Sequence, residues 1–345
     1  GEYTGACGKD ILLSYVIGFE VGGSLGRALN PDLVRRGWFP VGLMGALMQT
    51  AACARLVNLN TQQIQNAIGI ASNLAGGLRC NNGTMAKPLA AGGAAAKALL
   101  AVLSAAKGLS ANTGALESRF GVVENFGGGD VAGLREAVKT LGISLEIMNS
   151  GLAYKLYPCC AGAHAAIDCA LQIARAHRPN PEDIQEIAVS ISSGVKFLLI
   201  HPRPKTGSEA KFSLEYCVAR ALLDGRIGPT QFDPQKIGEP ELESMIEKVK
   251  PEYHDELTRS VRVAVLMKNG DAYAADVEHP RGTPENPLSR GELEQKFVGC
   301  AKAVLPETQV EAAADLLEHF EEVSDVGDLS RVLTGDGGAV DAESI

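Results

Sequence analysis

Aromatic side chains are scarce in this chain, with a single tryptophan and 5% Phe, Trp and Tyr together. Gly and Ala abound instead, so the interior is expected to be filled by close-packed helices whose backbones nearly touch. Positive charge is short as well: 32 Lys and Arg stand against 41 Asp and Glu, a net charge of −9. That balance excludes the basic footprint of a nucleic-acid partner. It leaves open an anionic small molecule, because a local group of cations can oppose the global sign. Neither a Cys-x-x-Cys pair nor a His-Glu-x-x-His motif occurs, so no metal site is expected. The eight cysteines follow no disulfide framework and several fall in apolar helical patterns, as free thiols of a reducing compartment do. No run of about 18 apolar residues is free of charge, so no membrane span is expected. There is no initiator Met or signal peptide, and Gly1-Glu2-Tyr3 reads like the middle of a protein. The expected location is the cytoplasm, or the mitochondrion in a eukaryote, and not the secretory route.

At 345 residues the chain can bury two cores. Residues 9–29 place Ile11, Leu12, Tyr15, Val16 and Phe19 at helical spacing, with an interruption at Gly22-Gly23. Pro40 is placed to open the next helix, and 41–57 is apolar nearly all round, hence central. Asn60 with Gln63 three residues on reads as a capping box for a helix over 61–74. A helix over 94–107 follows a glycine-rich connection. The character changes near residue 150. Helices are expected over 165–176 and 208–223, with strands near 186–191, 260–267 and 273–277. Asn269-Gly270 predicts a type I′ hairpin turn. Residues 290–334 return to helix. The expected fold is mainly α: a helical domain over 1–152, a smaller α+β domain over 153–287, and C-terminal helices over 288–345 packing back on the helical domain.

Two stretches could carry chemistry. Gly76 to Gly93 is dense in glycine and holds Arg79, Thr84 and Lys87. Backbone N–H groups at glycines can approach an anion closely, and a guanidinium and an ammonium beside them suit a carboxylate or phosphate. The alternative is a tight helix connection with two solvated cations. The second stretch, Tyr154 to Asp168, holds Lys155, Tyr157, Cys159, Cys160 and His164, with His164 starting a helix. A helix N-terminus favours neutral imidazole, a form able to act as a base; a capping or core histidine is the alternative. The vicinal cysteines read as buried thiols. His177, His201, His254, His279 and His319 read as solvated.

Four motifs occur in order: Gly83-Thr84-Met85-Ala86-Lys87-Pro88-Leu89, Arg119-Phe120-Gly121 with Gly127-Gly128-Gly129, Tyr157-Pro158-Cys159-Cys160 with His164, and Lys211-Phe212-Ser213-Leu214-Glu215-Tyr216. Together they resemble the MmgE/PrpD family, over roughly residues 5 to 330. The family includes 2-methylcitrate dehydratase, cis-aconitate decarboxylase and iminodisuccinate epimerase. The resemblance implies a helical domain with an α+β lid, an active site in the cleft between them, a homodimer, and no organic cofactor. It also implies small di- or tricarboxylate substrates. By it Lys87, Lys155 and His164 are the catalytic candidates, and Arg79, Thr84, Tyr157 and Lys211 the substrate-binding ones. Such cations would neutralise charge on an enediolate-like intermediate, and a lysine among other cations can shuttle a proton.

Some positions depart from the family pattern. Phe39 stands where the resemblance implies a histidine, and Ala90 and Gly93 where it implies polar residues. About a hundred family residues, with an Asp/His helix, are expected to be lacking before residue 1. Two readings follow: a lyase or epimerase of a small polycarboxylate, or a member that binds ligand or dimerises without turnover.

Overall fold

A computed structural model describes residues 1–255 and 260–334. They fall into two compact units. Among the described residues, the helical unit comprises 1–80, 88–151 and 289–334, and the α+β unit comprises 81–87 and 152–288. The architecture is mainly helical with one small mixed sheet.

In the helical unit, Gly8–Leu29 is one continuous helix, without the interruption expected at Gly22-Gly23. Tertiary packing decides this. A Cβ on Gly22 would stand 3.0 Å from Met48 Sδ, and one on Gly23 would stand 2.7 Å from Glu146 Cγ. The glycines let neighbours approach closely rather than breaking the helix. Pro40 opens the helix Pro40–Leu56, where its missing N–H costs nothing. Asn60 caps Thr61–Leu74: its side chain accepts from the Gln63 N–H, and the Gln63 side chain accepts from the Asn60 N–H. Leu25, Leu29, Leu33, Leu43, Leu47 and Val123 form the main core here. The helices Arg290–Ala301, Glu307–Glu318 and Gly327–Thr334 belong to the same unit. The Gly8 N–H donates to Val323 O at 2.8 Å and the Val326 N–H to Ala6 O at 2.9 Å, fixing the returning segment to the start of the chain.

The helix expected from residue 94 begins earlier, spanning Ala86–Ala106. Lys87 and Pro88 therefore occupy its first turn, where proline needs no hydrogen-bond acceptor, and Gly92-Gly93 lie inside it. By length and composition this helix could cross a membrane, which the count of charge-free residues alone did not anticipate because Lys97 interrupts the run. Ala94, Ala98, Ala101, Val102 and Ala105 are nevertheless buried.

The α+β unit carries a sheet of order β2-β1-β3-β4, formed by β1 (Ile184–Ser192), β2 (Val249–His254), β3 (Val261–Met267) and β4 (Ala272–Val277). The β1 and β2 strands are parallel, the other pairs antiparallel. Ile187, Val189 and Ile191 of β1 and Val261, Val263 and Val265 of β3 are buried, one face of a half-covered sheet. The helices His164–His177 and Leu214–Asp224 pack with these strands. Edge strand β2 and the helix Pro240–Lys248 before it were not anticipated. The hairpin turn is not type I′: Gly270 takes φ +92°, but Asn269 stays at negative φ. The Gly270 N–H bonds Met267 O and the Met267 N–H bonds Asp271 O, closing a three-residue loop with glycine in the left-handed position. The helix expected over 208–223 is two helices, Gly207–Ala210 and Leu214–Asp224. Ser213 caps the second by accepting from the Tyr216 N–H. Lys211 and Phe212 consequently sit in the turn between them.

Candidate active site

That turn meets the segment 81–87 inside the α+β unit. The Lys87 ammonium lies 3.9 Å from the centroid of the Phe212 ring, a cation–π seat. The segment itself is closed by local bonds: the Thr84 hydroxyl and N–H both donate to Asn81 O, and the Lys87 N–H donates to Thr84 O. Asn82 is buried, and its carbonyl lies 3.1 Å from His201 Nε2. The His201 N–H in turn donates to Phe212 O. One histidine thus touches both parts of the lysine's surroundings. It was expected to be solvated, and nothing local in the sequence marks its contact with residues 82–83, since the contact spans 119 positions.

A second cluster lies where 157–164 meets the helix Leu214–Asp224. The Cys160 N–H donates to Lys211 O at 2.8 Å, joining the two strips of chain. His164 is 3% exposed and heads its helix as expected. Its ring stands edge-on to Tyr157 at 5.1 Å, and its Nε2 has no hydrogen-bond partner among the described residues. The Tyr157 hydroxyl donates to Asp168 Oδ1 at 2.5 Å, while Asp168 Oδ2 accepts from the Arg281 N–H. Burial, and then the Asp168 hydrogen bond, push the Tyr157 phenol far up, so it stays protonated. Cys159 and Cys217 are buried thiols beside this ring. Cys159 Sγ donates to Cys160 O and Cys217 Sγ to Ala210 O, both at 3.7 Å; the neighbouring Cys217, followed by those effects of His164 and Lys155 that favour the anion, brings Cys159 down to about 6 against the opposing cost of burial. Cys217 is pushed well above the usual thiol range by Cys159 and by burial.

The expected site residues are therefore distributed unevenly. Lys87, Thr84, Lys155, Tyr157, His164 and Lys211 all belong to the α+β unit. Lys155 and Thr84 are exposed, Lys87 and Lys211 half-buried, and Tyr157 and His164 buried. Arg79 belongs to the helical unit, where its Nη1 donates to Val34 O at 2.8 Å. Phe39 belongs there too, its N–H donating to Gly77 O at 2.9 Å. A phenyl ring moves no proton. A cavity of about 590 Å³ in the helical unit, lined by Ser72, Asn73, Asn112, Arg119 and Phe120 among others, contains none of the expected residues. Among the described residues no three His, Cys, Asp or Glu side chains are placed to hold a metal ion.

The sequence matches known proteins at both ends of this geometry. Residues 1–134 match the MmgE/PrpD N-terminal domain, and residues 157–322 match the MmgE/PrpD C-terminal domain. The first match begins at residue 1, so the expected lack of about a hundred N-terminal family residues is not supported. Cis-aconitate decarboxylase of Mus musculus is 28% identical over 345 residues, covering 95% of this chain and 69% of that protein. The cis-aconitate decarboxylase of Homo sapiens is also 28% identical, over 95% of this chain and 69% of its own length. A cis-aconitate decarboxylase of Aspergillus terreus is 26% identical over 94% of this chain and 71% of its own.

Proposed function

We propose, starting from a chain that belongs to the MmgE/PrpD family, that this protein is a cofactor-independent lyase acting on a small tricarboxylate. Decarboxylation of a cis-aconitate-like acid is the favoured reaction, since the relatives that match over 94–95% of this chain carry that name. The observation that carries the reading is the Lys87 ammonium, held over the Phe212 ring on a segment fixed from three sides.

Loss of carbon dioxide breaks a carbon–carbon bond and leaves its electron pair on the substrate. A nearby cation lowers the energy of that charge as it develops, and a proton delivered to carbon completes the reaction. In this reading Lys87 supplies the proton. Lys155 and Lys211 hold carboxylate oxygens, being exposed or half-buried donors of the same unit, whereas the Thr84 hydroxyl donates to Asn81 O. His164, buried against Tyr157 and next to Cys159, is a second acid/base group, and the Tyr157–Asp168 bond fixes the ring it packs on. Arg79, expected to bind substrate, is left out of this account, which is confined to the α+β unit.

Phe39 supports a second reading, a member that binds a polycarboxylate without turnover; the same groups would also serve an epimerase. One experiment separates these. The protein is incubated in D2O with cis-aconitate, citrate, 2-methylcitrate, malate and aspartate-derived acids, and each C–H signal is followed by NMR, with Lys87→Ala beside it. The expected result is conversion of cis-aconitate with deuterium placed in the product, reduced at least about 100-fold in Lys87→Ala. Exchange without loss of carbon dioxide points to the epimerase. Ligand-induced shifts without any exchange point to binding alone. Silence in both sinks the polycarboxylate reading.

A further inference from the structure

We propose that His201 is the positioning residue of the Lys87 segment: it holds residues 81–87 in place and so determines where the ammonium stands. The inference rests on Lys87 being the proton donor proposed above. Its basis is a clamp that joins three stretches of chain inside one unit.

The imidazole lies directly against Gly83. A Cβ built on Gly83 would fall 2.3 Å from His201 Nε2 and 2.9 Å from Cδ2, so no side chain fits there while the ring is in place. Gly83 also takes φ +87°, which L side chains rarely adopt. The backbone is therefore shaped to admit the ring at closest approach. Nε2 is 3.1 Å from the buried Asn82 carbonyl. That carbonyl can only accept, so Nε2 carries the proton. The bond satisfies a carbonyl that burial would otherwise leave at a cost.

The other end of His201 is fixed as firmly. Its N–H donates to Phe212 O at 3.2 Å, and the Phe212 ring is the surface on which the Lys87 ammonium rests at 3.9 Å. The ring of His201 thus holds the chain that carries Lys87, and its backbone holds the residue that seats the ammonium. Lys87 is four residues beyond Gly83, linked through the Thr84 turn and the Lys87 N–H bond to Thr84 O. Freed from the clamp, that short connection can shift by a fraction of the side chain's length. Misplacement of about 1 Å at a reacting group can cost on the order of 100-fold in rate.

The test compares His201→Ala, His201→Gln and Gly83→Ala with the wild type. Glutamine keeps an N–H that can bond Asn82 O, whereas Gly83→Ala displaces the ring and also strains residue 83, so it is read only beside His201→Ala. Two readouts are taken. The first is kcat and KM on whichever acid the NMR panel shows to be turned over. The second needs no activity: the carbon-13 methyl signal of reductively methylated Lys87, assigned by its loss in Lys87→Ala. For His201→Ala and Gly83→Ala, kcat should fall about 10- to 100-fold with KM changed less than about 3-fold. The Lys87 signal should move in both, and His201→Gln should restore both readouts most of the way. An unmoved Lys87 signal in His201→Ala overturns the inference. So does a His201→Gln variant no better than His201→Ala, since that marks a merely structural role. Should Lys87→Ala keep wild-type turnover, the lysine assignment fails, while a displaced signal would still establish the clamp.

Discussion

Replacing Cys217 with alanine removes the partner on which the acidity of Cys159 depends. Both thiols are buried, at 0% and 4% exposure. Cys217 is the largest influence on Cys159, lowering it to about 6; burial opposes it, and His164 and Lys155 assist. Lowered from the ordinary thiol range, Cys159 is richer in thiolate at neutral pH than a free cysteine. Without Cys217, burial acts less opposed and the thiol should return toward or beyond the ordinary range. The thiolate population at neutral pH then falls more than about tenfold. The assay is ultraviolet thiolate absorbance along a pH titration, with Cys159→Ala as the blank. The wild type should show one ionisation near 6, absent from the blank and moved upward in Cys217→Ala. Stability follows with a definite sign. Cys159 is depressed in the folded state, so the stabilisation it gives is complete above pH 9 and is lost as pH falls through about 6. Cys217 is raised, so it lowers stability once the pH passes the ordinary thiol value. The pair therefore makes stability rise between pH 6 and 9 and decline beyond. Identical titrations in the wild type and Cys217→Ala would refute the reasoning.

Two further outcomes concern the scaffold. Gly42→Ala should destabilise by about 2–4 kcal/mol, because its Cβ would meet the Gly76 carbonyl oxygen at 2.3 Å where residues 37–42 run beside 76–79. Gly22→Ala should cost about 1 kcal/mol or less, since the Met48 side chain it meets at 3.0 Å can swing away; a melting experiment that reverses this order contradicts the packing argument. Arg220→Met should cost about 3 kcal/mol. Its side chain is 3% exposed and donates to Glu239 at 2.7 Å, Lys236 O at 2.8 Å and Asp224 at 3.4 Å. Glu239→Gln added to Arg220→Met should cost less than the sum of the single changes, and strict additivity in denaturant titrations would show that the pair is not coupled.

The parts of the fold that were legible in the sequence are those with local signals. Asn60 with Gln63, Pro40 ahead of an apolar run, and the alternation within Ile184–Ser192 each carry their own stereochemical cause. Elements decided by tertiary contact were not legible. Gly22-Gly23 reads as a break until Met48 and Glu146 are beside it. Strand β2 is Val-Lys-Pro-Glu-Tyr-His, without alternation and with a proline tolerated only because the strand is an edge. Ser213 looks like helix interior until its hydroxyl is seen to accept the Tyr216 N–H. In the candidate site, the glycine-rich stretch pointed to Lys87 and the start of a helix to His164. His201, Asp168 and Cys217 were hidden, because their partners are distant in the chain or their side chains read as ordinary core.

The boundary between the two sequence-defined halves is not the boundary between the two packed units. Residues 81–87 fall within the N-terminal match, yet they pack with residues of the C-terminal match. A chimaera that joins the first half of one family member to the second half of another would therefore combine a lysine segment from one parent with a histidine clamp from the other. Functional compatibility of such hybrids should follow the fit between residues 82–83 and 201 more closely than identity at the splice point.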